Sequence, residues 1–507
     1  NSTLGYIHNS FKGVFDGNHR TISNININQT SVSNIGGLFG CASFGSIENL
    51  KITGNVNGAQ SVGGLCGLTF AETIKNCEIN CTVSTGGKNQ CGGIVGVDKG
   101  YSNITKCKNL GSVSGFRYIG GIIGRCNHNA QISECINKGD ISSTSNKTAD
   151  DIGGICGNIA NSNCSFDYCE NYGAISLSLK NGGGIVGSLD TGFEGCSITN
   201  CINYGEITGS AIGGIIGQNN GTITIDKCLN IGSVSGGNGI GNGTSVSNCF
   251  NAGIANNAIA PSGVTNCINV GDVTTVPAGC LYDNQLLSGS GAGSGLKTSQ
   301  MVGTALQETL GTADWTYTDN MYPMIKTLEN SEYMIMAATT IVLDAADELN
   351  DVNTKFHIST PHAVEWECDP ISVVAFSGNN AYLAKTTSDQ PAVVTAHLGK
   401  LEKTFNLTIK AGESLLQPDI VWNIPQTDFT YGDKLTTAMQ NATESHGYEG
   451  HFEFNFDENH ALSVGGHNLT ATFIPNDEAQ IAIKVASNAI TVSKAKPTIN
   501  WSVENGL

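Results

Sequence analysis

Charge is what this sequence has least of. Asp, Glu, Lys and Arg together make up 13 % of the 507 residues, about half the usual share. Positive charge is the scarcer sign, with 25 Lys and Arg against 43 Asp and Glu and a formal net charge of −18. No Lys/Arg cluster offsets this locally, so the chain repels phosphate backbones and anionic lipid, and no nucleic-acid partner is expected. No run of 18 apolar residues occurs, so no membrane insertion of this segment is expected. Stretches of a dozen residues with a 3.6-residue apolar period are missing too, which argues against a helical solenoid. There is no Cys-x-x-Cys spacing for zinc, no His-Glu-x-x-His, and no Gly-x-Gly-x-x-Gly between a strand and a helix; no cofactor is expected.

What the chain does have is glycine and a repeat. Glycine supplies 65 of 507 residues, nearly twice average usage, and the hydrophobic share of 39 % separates the chain from disordered sequences. The pattern Cys-x-Asn-x-Gly begins at Cys107, Cys135, Cys169, Cys201, Cys228, Cys249 and Cys267. An apolar residue stands three places before each Cys: Ile104, Ile132, Phe166, Ile198, Ile225, Val246 and Val264. A second motif, Gly-Gly-[Ile/Leu]-x-Gly, begins at Gly36, Gly63, Gly92, Gly120, Gly153, Gly183 and Gly213, at intervals of 27, 29, 28, 33, 30 and 30 residues. Each unit thus holds about three short apolar strands separated by Gly/Asn/Ser turns. One unit cannot bury its own apolar face, but stacked copies can.

The prediction is a parallel β-helix, expected right-handed, with one coil per unit. Ten coils at ~4.8 Å would give a rod of roughly 45–50 Å. Positions i and i+2 of a strand face the same side, so Cys and Asn should both point inward. Stacked Asn amides would then bond their copies above and below. Asn and the following Gly are expected to take the left-handed backbone of a corner. The cysteines, 18 in all, read mainly as small buried apolar residues, because equivalent thiols in one column cannot all pair; Cys77/Cys81, Cys164/Cys169 and Cys196/Cys201 are less regular. Toward residue 280 the glycine motif shrinks to fragments around Ile240 and Ile259, which predicts a taper.

The expected organisation is a β-helix over 1–297 and a segment over 298–334 that closes its last coil, helix-like at 298–310. An immunoglobulin-like β-sandwich over 335–411 and a second over 412–495 follow. Strands are predicted at 339–343, 355–358, 364–367, 393–397 and 404–409, with Trp366 in an early strand. Phe452, Phe454 and Phe456 read as one strand face of the second module. Pro418-x-Ile420-x-Trp422 recurs 79 residues later as Pro497-x-Ile499-x-Trp501, so 496–507 reads as the start of a further copy and the full protein is expected to be longer.

Gly-Gly-Leu-Phe-Gly at 36–40 and its successors resemble the GLUG motif of bacterial surface and secreted proteins. The lead-in from Phe11 through Phe15-Asp16-Gly17 to Ile22 is similar to the sequence that opens such arrays, although His19 precedes Arg20 and shifts the basic pair by one place. Trp315 with Tyr322-Pro323 resembles their usual ending, and the Pro-x-Ile-x-Trp blocks look like tandem bacterial immunoglobulin-like modules of adhesins. The resemblance implies display at the extracellular surface of a bacterial cell and adhesion. It fixes neither a ligand nor a catalytic residue.

The residues themselves point to no constellation of carboxylates. The coil region holds only Arg20, Arg117 and Arg125 as arginines, and its acids are scattered. Asp150 and Asp151 are its only adjacent acidic pair, in the longest inter-motif interval, and the insertion 142–151 is where a binding surface is expected. His446, His451, His460 and His467 read as loop and strand-edge residues. The leading expectation is a non-enzymatic adhesin-like protein that binds glycan or a host surface or matrix protein. The alternatives are a carbohydrate-active enzyme on one β-helix face and a structural spacer.

Overall fold

A computed structural model describes residues 10–29, 35–86, 90–144, 151–286, 290–319 and 321–331 of the first unit, and most of 335–495 of the second apart from short breaks. Asn1–Ser331 and Glu332–Leu507 form two compact units. Asp150 and the stretch 496–507 lie outside the described residues.

The first unit is a parallel β-helix. One face stacks ten strands, from Val14–Asp16 to Val264–Thr265; a second stacks seven, from Phe39–Ser43 to Ile216–Asn219; the third carries the Cys-x-Asn strands. The described pairings between successive coils are parallel and, apart from register shifts at Ile22/Ile25 and Ser176/Lys180, in register, as in Ile104↔Ile132↔Phe166↔Ile198↔Ile225↔Val246↔Val264. These side chains form one continuous apolar core running the length of the stack. The shortened motifs keep the stacking: the Ile215 N–H donates to Ile240 O and the Ile240 N–H to Ile259 O.

The Cys-x-Asn-x-Gly unit works as predicted in one respect and differently in another. Cys and Asn are both buried in all seven copies. The Asn amides form an unbroken ladder, each Nδ2 donating to the next Oδ1, from Asn109 to Asn137 (2.8 Å), Asn171 (2.8 Å), Asn203 (2.9 Å), Asn230 (2.9 Å), Asn251 (2.8 Å) and Asn269 (2.7 Å). Each also donates to the carbonyl of the Gly two places on, at 2.8–3.0 Å. The left-handed corner, however, is neither the Asn nor the Gly of the motif. It is the residue before Cys: Lys106, Glu134, Tyr168, Asn200, Lys227, Asn248 and Asn266 all have φ between 50° and 55°.

Glycine is needed at the end of the unit for contact, not for φ. A Cβ on Gly139 would lie 1.9 Å from Gly111 O, and one on Gly173 2.0 Å from Gly139 O. The two repeat motifs also interlock. A Cβ on the second glycine of the Gly-Gly pair would meet the ladder amide, as at Gly121 against Asn137 Cγ (2.3 Å) and Gly154 against Asn171 Cγ (2.3 Å).

Residues 298–331 hold three short helical turns, Thr298–Gln300, Gly303–Leu306 and Gln307–Leu310, then an antiparallel ribbon of Trp315–Thr316 with Met324–Ile325 and a fourth turn, Lys326–Leu328. From the last coil, which it touches where the Thr298 N–H donates to Gln285 Oε1 (2.9 Å), this segment runs back along the flank of the stack. The Tyr322 hydroxyl donates to Asp283 Oδ2 (2.7 Å), Trp315 and Tyr322 pack on Phe250, Asp314 pairs with Lys227 (3.0 Å), and Thr327 bonds Asn200 (2.6 Å). The reason lies in the middle residue of Cys-x-Asn, which points away from the core when Cys and Asn point in. It is exposed Lys108 early in the stack but Ile202, Leu229, Phe250 and Ile268 later, all buried. That outward apolar stripe needs a cover, and the segment supplies it.

The second unit contains two separate cores, one built from 341–409 and one from 422–492. Their four-stranded sheets share one topology. In the first, Thr340–Asp344 pairs in parallel with Leu401–Lys410, which pairs antiparallel with Gln390–Leu398 and so on to Glu365–Asp369. In the second, Asp428–Thr430, Lys484–Ser493, Gly465–Pro475 and Gly450–Phe454 repeat that order and those directions. The strand expected at 355–358 is instead a helical turn, Val352–Lys355, followed by Ile358–Ser359. The turn drives Phe356 into the core against Phe405 and Trp366.

Candidate binding face

Asp151 is not displayed on a loop. It sits at the entry to the strand Ile152–Gly153 with φ 51° and is 3 % exposed. Its Oδ2 accepts from Arg117 Nε at 3.0 Å and its Oδ1 from Asn181 Nδ2 at 2.8 Å. A second pair lies close by: Arg125 Nη2 binds Asp190 Oδ2 (3.1 Å), Arg125 Nε binds Asn158 Oδ1 (3.0 Å), and Asn158 donates to Asp190 Oδ1 (3.0 Å) and Ser188 Oγ (2.9 Å). Both guanidinium groups lie over the Tyr118 ring, at 4.3 and 4.7 Å. Parallel register thus gathers two of the three arginines and two carboxylates that look scattered in sequence. Each acid is held by an arginine and at least one amide, so this network clamps neighbouring coils together.

Behind one corner of the first coils lie two buried acids. Glu72 and Asp98 are 1 % and 0 % exposed. Burial raises Glu72 to about 7, against the stabilising Gly45 N–H on Oε2 (3.0 Å). Burial likewise raises Asp98 to about 6, despite bonds from Ser102 Oγ (2.6 Å) and Thr69 Oγ1 (3.1 Å). Glu72 Oε1 and Asp98 Oδ2 have no hydrogen-bond partner. Ser102 joins the two residues, because its Oγ also accepts the Glu72 N–H at 3.1 Å.

The solvent side of that corner is aromatic. Phe44 and Tyr101 are each 58 % exposed, and half-buried Phe70 lies between them, with ring centroids 5.3 and 6.1 Å apart. Phe44 and Tyr101 hold φ of 59° and 65°, the corner conformation that Asn129 and Asn163 adopt in later coils. For a bulky residue this costs about 1–2 kcal/mol. The signal was present in the sequence as two aromatic residues at a repeat position where later coils use Asn.

All eighteen cysteines are free thiols. The main column runs from Cys77 to Cys280, beyond the seven motif copies, and Cys267 pairs in register with Cys280. Its members bond backbone, for example Cys201 Sγ to Thr199 O (3.1 Å) while accepting the Cys169 N–H (3.4 Å). Cys126 and Cys156 approach to 3.7 Å between sulfurs, against about 2.05 Å for a disulfide. Burial pushes the thiols of Cys66, Cys91 and Cys280 well up and Cys81 to about 11, so they are poor nucleophiles and poor metal ligands.

In the second unit the histidines do not converge. His446 Nδ1 is 3.2 Å from Glu444 Oε1, His451 3.8 Å from Glu453, and His467 Nε2 bonds Ser463 O (2.7 Å), while His460 lies outside the described residues. A cavity of about 810 Å³ is lined by residues that include Trp366, Phe376, His397 and His467. Trp366 stacks on Phe376 at 5.5 Å. Among the described residues no group of three or more His, Cys, Asp or Glu could hold a metal ion, and no helix is long and apolar enough to cross a membrane.

No family model matches the chain. Eighty-eight of its residues, 17 % of the chain, are 35 % identical to a stretch of Halomucin from Haloquadratum walsbyi, and they span about 1 % of that protein's length. Similar solved structures include a putative immunoglobulin A1 protease from Bacteroides ovatus, 18 % identical at a TM-score of 0.23 over 62 % of this chain and 76 % of that one. They also include an endo-fucoidan hydrolase of glycoside hydrolase family 107, 10 % identical at 0.13 over 33 % and 29 % of the two chains. Human protocadherin-24 EC1-2 is 8 % identical at 0.13 over 32 % and 98 %. Likeness at this level carries no weight for function.

Proposed function

We propose that this chain is a non-catalytic, surface-displayed or secreted scaffold of adhesin type from a bacterial cell. A GLUG-like β-helix would bind glycan or a host or matrix protein, and immunoglobulin-like modules would follow it in tandem. The observation that carries the reading is the use made of the polar side chains on the coils. Asp151 and Asp190 are held by Arg117 and Arg125, and the Asn amides bond only along the stack or to their own turn.

Glycoside hydrolysis by paired carboxylates needs two acids free to face a sugar across a gap. The buried Glu72 and Asp98 face inward, and the outer pairs are neutralised. Recognition is therefore left to the corners and outer strand rows. The shared topology of the two sandwich-like cores supports reading them as repeated modules of one kind.

A glycan and extracellular-matrix array, with chromatographic analysis of any released sugar, tests the proposal. Retention of glycan or matrix protein without product supports it. Release of shorter oligosaccharides would replace it with the enzyme reading, and no retention with no release would favour a spacer.

A further inference from the structure

The aromatic corner is unusual in what it costs and in what surrounds it. Phe44 and Tyr101 occupy the left-handed corner position with most of each ring in solvent, so burial does not offset the backbone strain. Strain kept without an internal return marks a site selected for something outside the fold. Exposed aromatic surface continuous over three coils has the same implication.

The neighbours define the partner. Beside the rings, Ser46, Thr73, Asn103 and Gln131 stack in register along the adjoining ten-stranded face. Their Ile neighbours point into the core, so this row of hydroxyl and amide groups points out. None of these is charged. Glu72, the acid nearest the corner, is buried behind it. Half-buried Lys99 stands two residues before Tyr101, and Glu48 and Lys75 face each other at the next outward position of the same strands, so charge here is sparse and of both signs. What dominates is apolar ring surface beside uncharged hydrogen-bonding groups, the combination a neutral polyol needs.

Resting on the surface-binder reading above, we infer that the Phe44–Phe70–Tyr101 corner, with the Ser46–Thr73–Asn103–Gln131 row, is a binding strip for a neutral hexopyranose strand lying along the β-helix axis. The C–H faces of the sugars lie against the exposed Phe44 and Tyr101 rings, each of which Phe70 meets edge to face at 78° and 77°, and their hydroxyls bond the row. Ring spacings of 5.3 and 6.1 Å follow the coil rise of ~4.8 Å, which is close to the length of one pyranose unit, so successive sugars meet successive coils. His128, bonded to Asn161, continues the strip into the fourth coil, where the Tyr101 N–H donates to His128 O.

The test is isothermal titration of the full chain with cellohexaose, laminarihexaose and chitohexaose, with dextran sulfate as a charged comparison. The variants are Phe44→Asn with Tyr101→Asn, and Phe70→Ser alone. Asn is the residue that Asn129 and Asn163 already place at this corner, so the double variant should melt no lower than the parent. At least one neutral hexaose should bind saturably, and the double variant should weaken it by about tenfold or more. If the double variant melts lower, Phe70→Ser decides, because Phe70 has ordinary strand backbone.

Failure of all three neutral hexaoses, or unchanged affinity in both variants, overturns the strip. Should the wild type retain a matrix protein while ignoring these sugars, the strip falls and the surface-binder proposal stands. No retention of any macromolecule removes both.

Discussion

The amide ladder makes a quantitative demand. In Asn171→Ala the buried Nδ2 that serves Gly173 O (3.0 Å) and Asn203 Oδ1 (2.9 Å) disappears, so two acceptors with no access to water lose their donor. Asn137, whose Nδ2 had donated to Asn171 Oδ1, still reaches Gly139 O (2.9 Å) and is not orphaned. An unsatisfied buried acceptor costs about 1–3 kcal/mol, so the change should cost about 3–5 kcal/mol with the small cavity included. Asn269 ends the ladder. Its Nδ2 serves only Gly271 O (2.8 Å), and Asn269→Ala should cost about 1–3 kcal/mol. Equilibrium urea denaturation followed by circular dichroism measures both. Amide hydrogen exchange then shows whether the loss is confined to the coils beside residue 171, as nearest-neighbour coupling in a solenoid requires. A loss at Asn171 below about 1 kcal/mol, or equal losses at the two sites, would refute the view that amides bond cooperatively along the axis.

The interlock of the two motifs predicts that Gly154→Ala, whose Cβ would lie 2.0 Å from Gly184 O and 2.3 Å from Asn171 Cγ, prevents folding or lowers the melting temperature by more than about 3 °C, roughly 2 kcal/mol or more for a unit of this length. Gly86→Ala, with open space around it, should leave the melting temperature unchanged. Glu72 and Asp98 bind their protons more tightly folded than unfolded, so the stability they lend is complete below about pH 4 and is lost as pH rises through about 6 to 7. The melting temperature should fall between about pH 4 and 7, and Glu72→Gln should flatten that slope; a slope unchanged in the variant would refute the assignment. Ellman titration without reductant should find all 18 thiols in denaturant and slow, incomplete reaction in the native protein, whereas missing thiols would point to disulfides. Tyr322→Phe removes the buried bond to Asp283 and should cost about 1.5–3 kcal/mol in denaturant melts.

Much of the first unit is legible because stacking imposes identity. The Cys, Asn and Gly of each unit recur because each touches its own copy one coil away. Their spacing therefore announces both the fold and the ladder. The corner was misplaced for the opposite reason. The left-handed residue before Cys projects outward; it is Asn at 200, 248 and 266 but Lys106, Glu134, Tyr168 and Lys227 elsewhere, so no single residue type marks it. Asp151 looks like a loop acid in sequence because its partner, Arg117, lies 34 residues earlier, and only coil register brings them together. The flank segment could have been anticipated from the drift of the residue after Cys, from Lys108 to Ile202, Leu229, Phe250 and Ile268. A solenoid has no reason to put such residues outward unless something covers them.

That last inference has a counterpart for recognition. A position explained by stacking carries no information about a ligand, since the copy above and the copy below already account for it. Information lies where one coil departs from what its neighbours use at the same register and the fold gains nothing from the departure. The Phe250 row departs from Lys108 and is repaid by Trp315 and Tyr322 packed on it. The Phe44 and Tyr101 corner departs from Asn129 and Asn163 in later coils, bears strain, and leaves its rings in solvent. The two cases share a chemistry and differ in whether the chain itself supplies the cover. On that criterion the corner is, among the described residues, a place on the β-helix where the proposed outside partner would account for the sequence, whereas Asp151 is already bound within the coils.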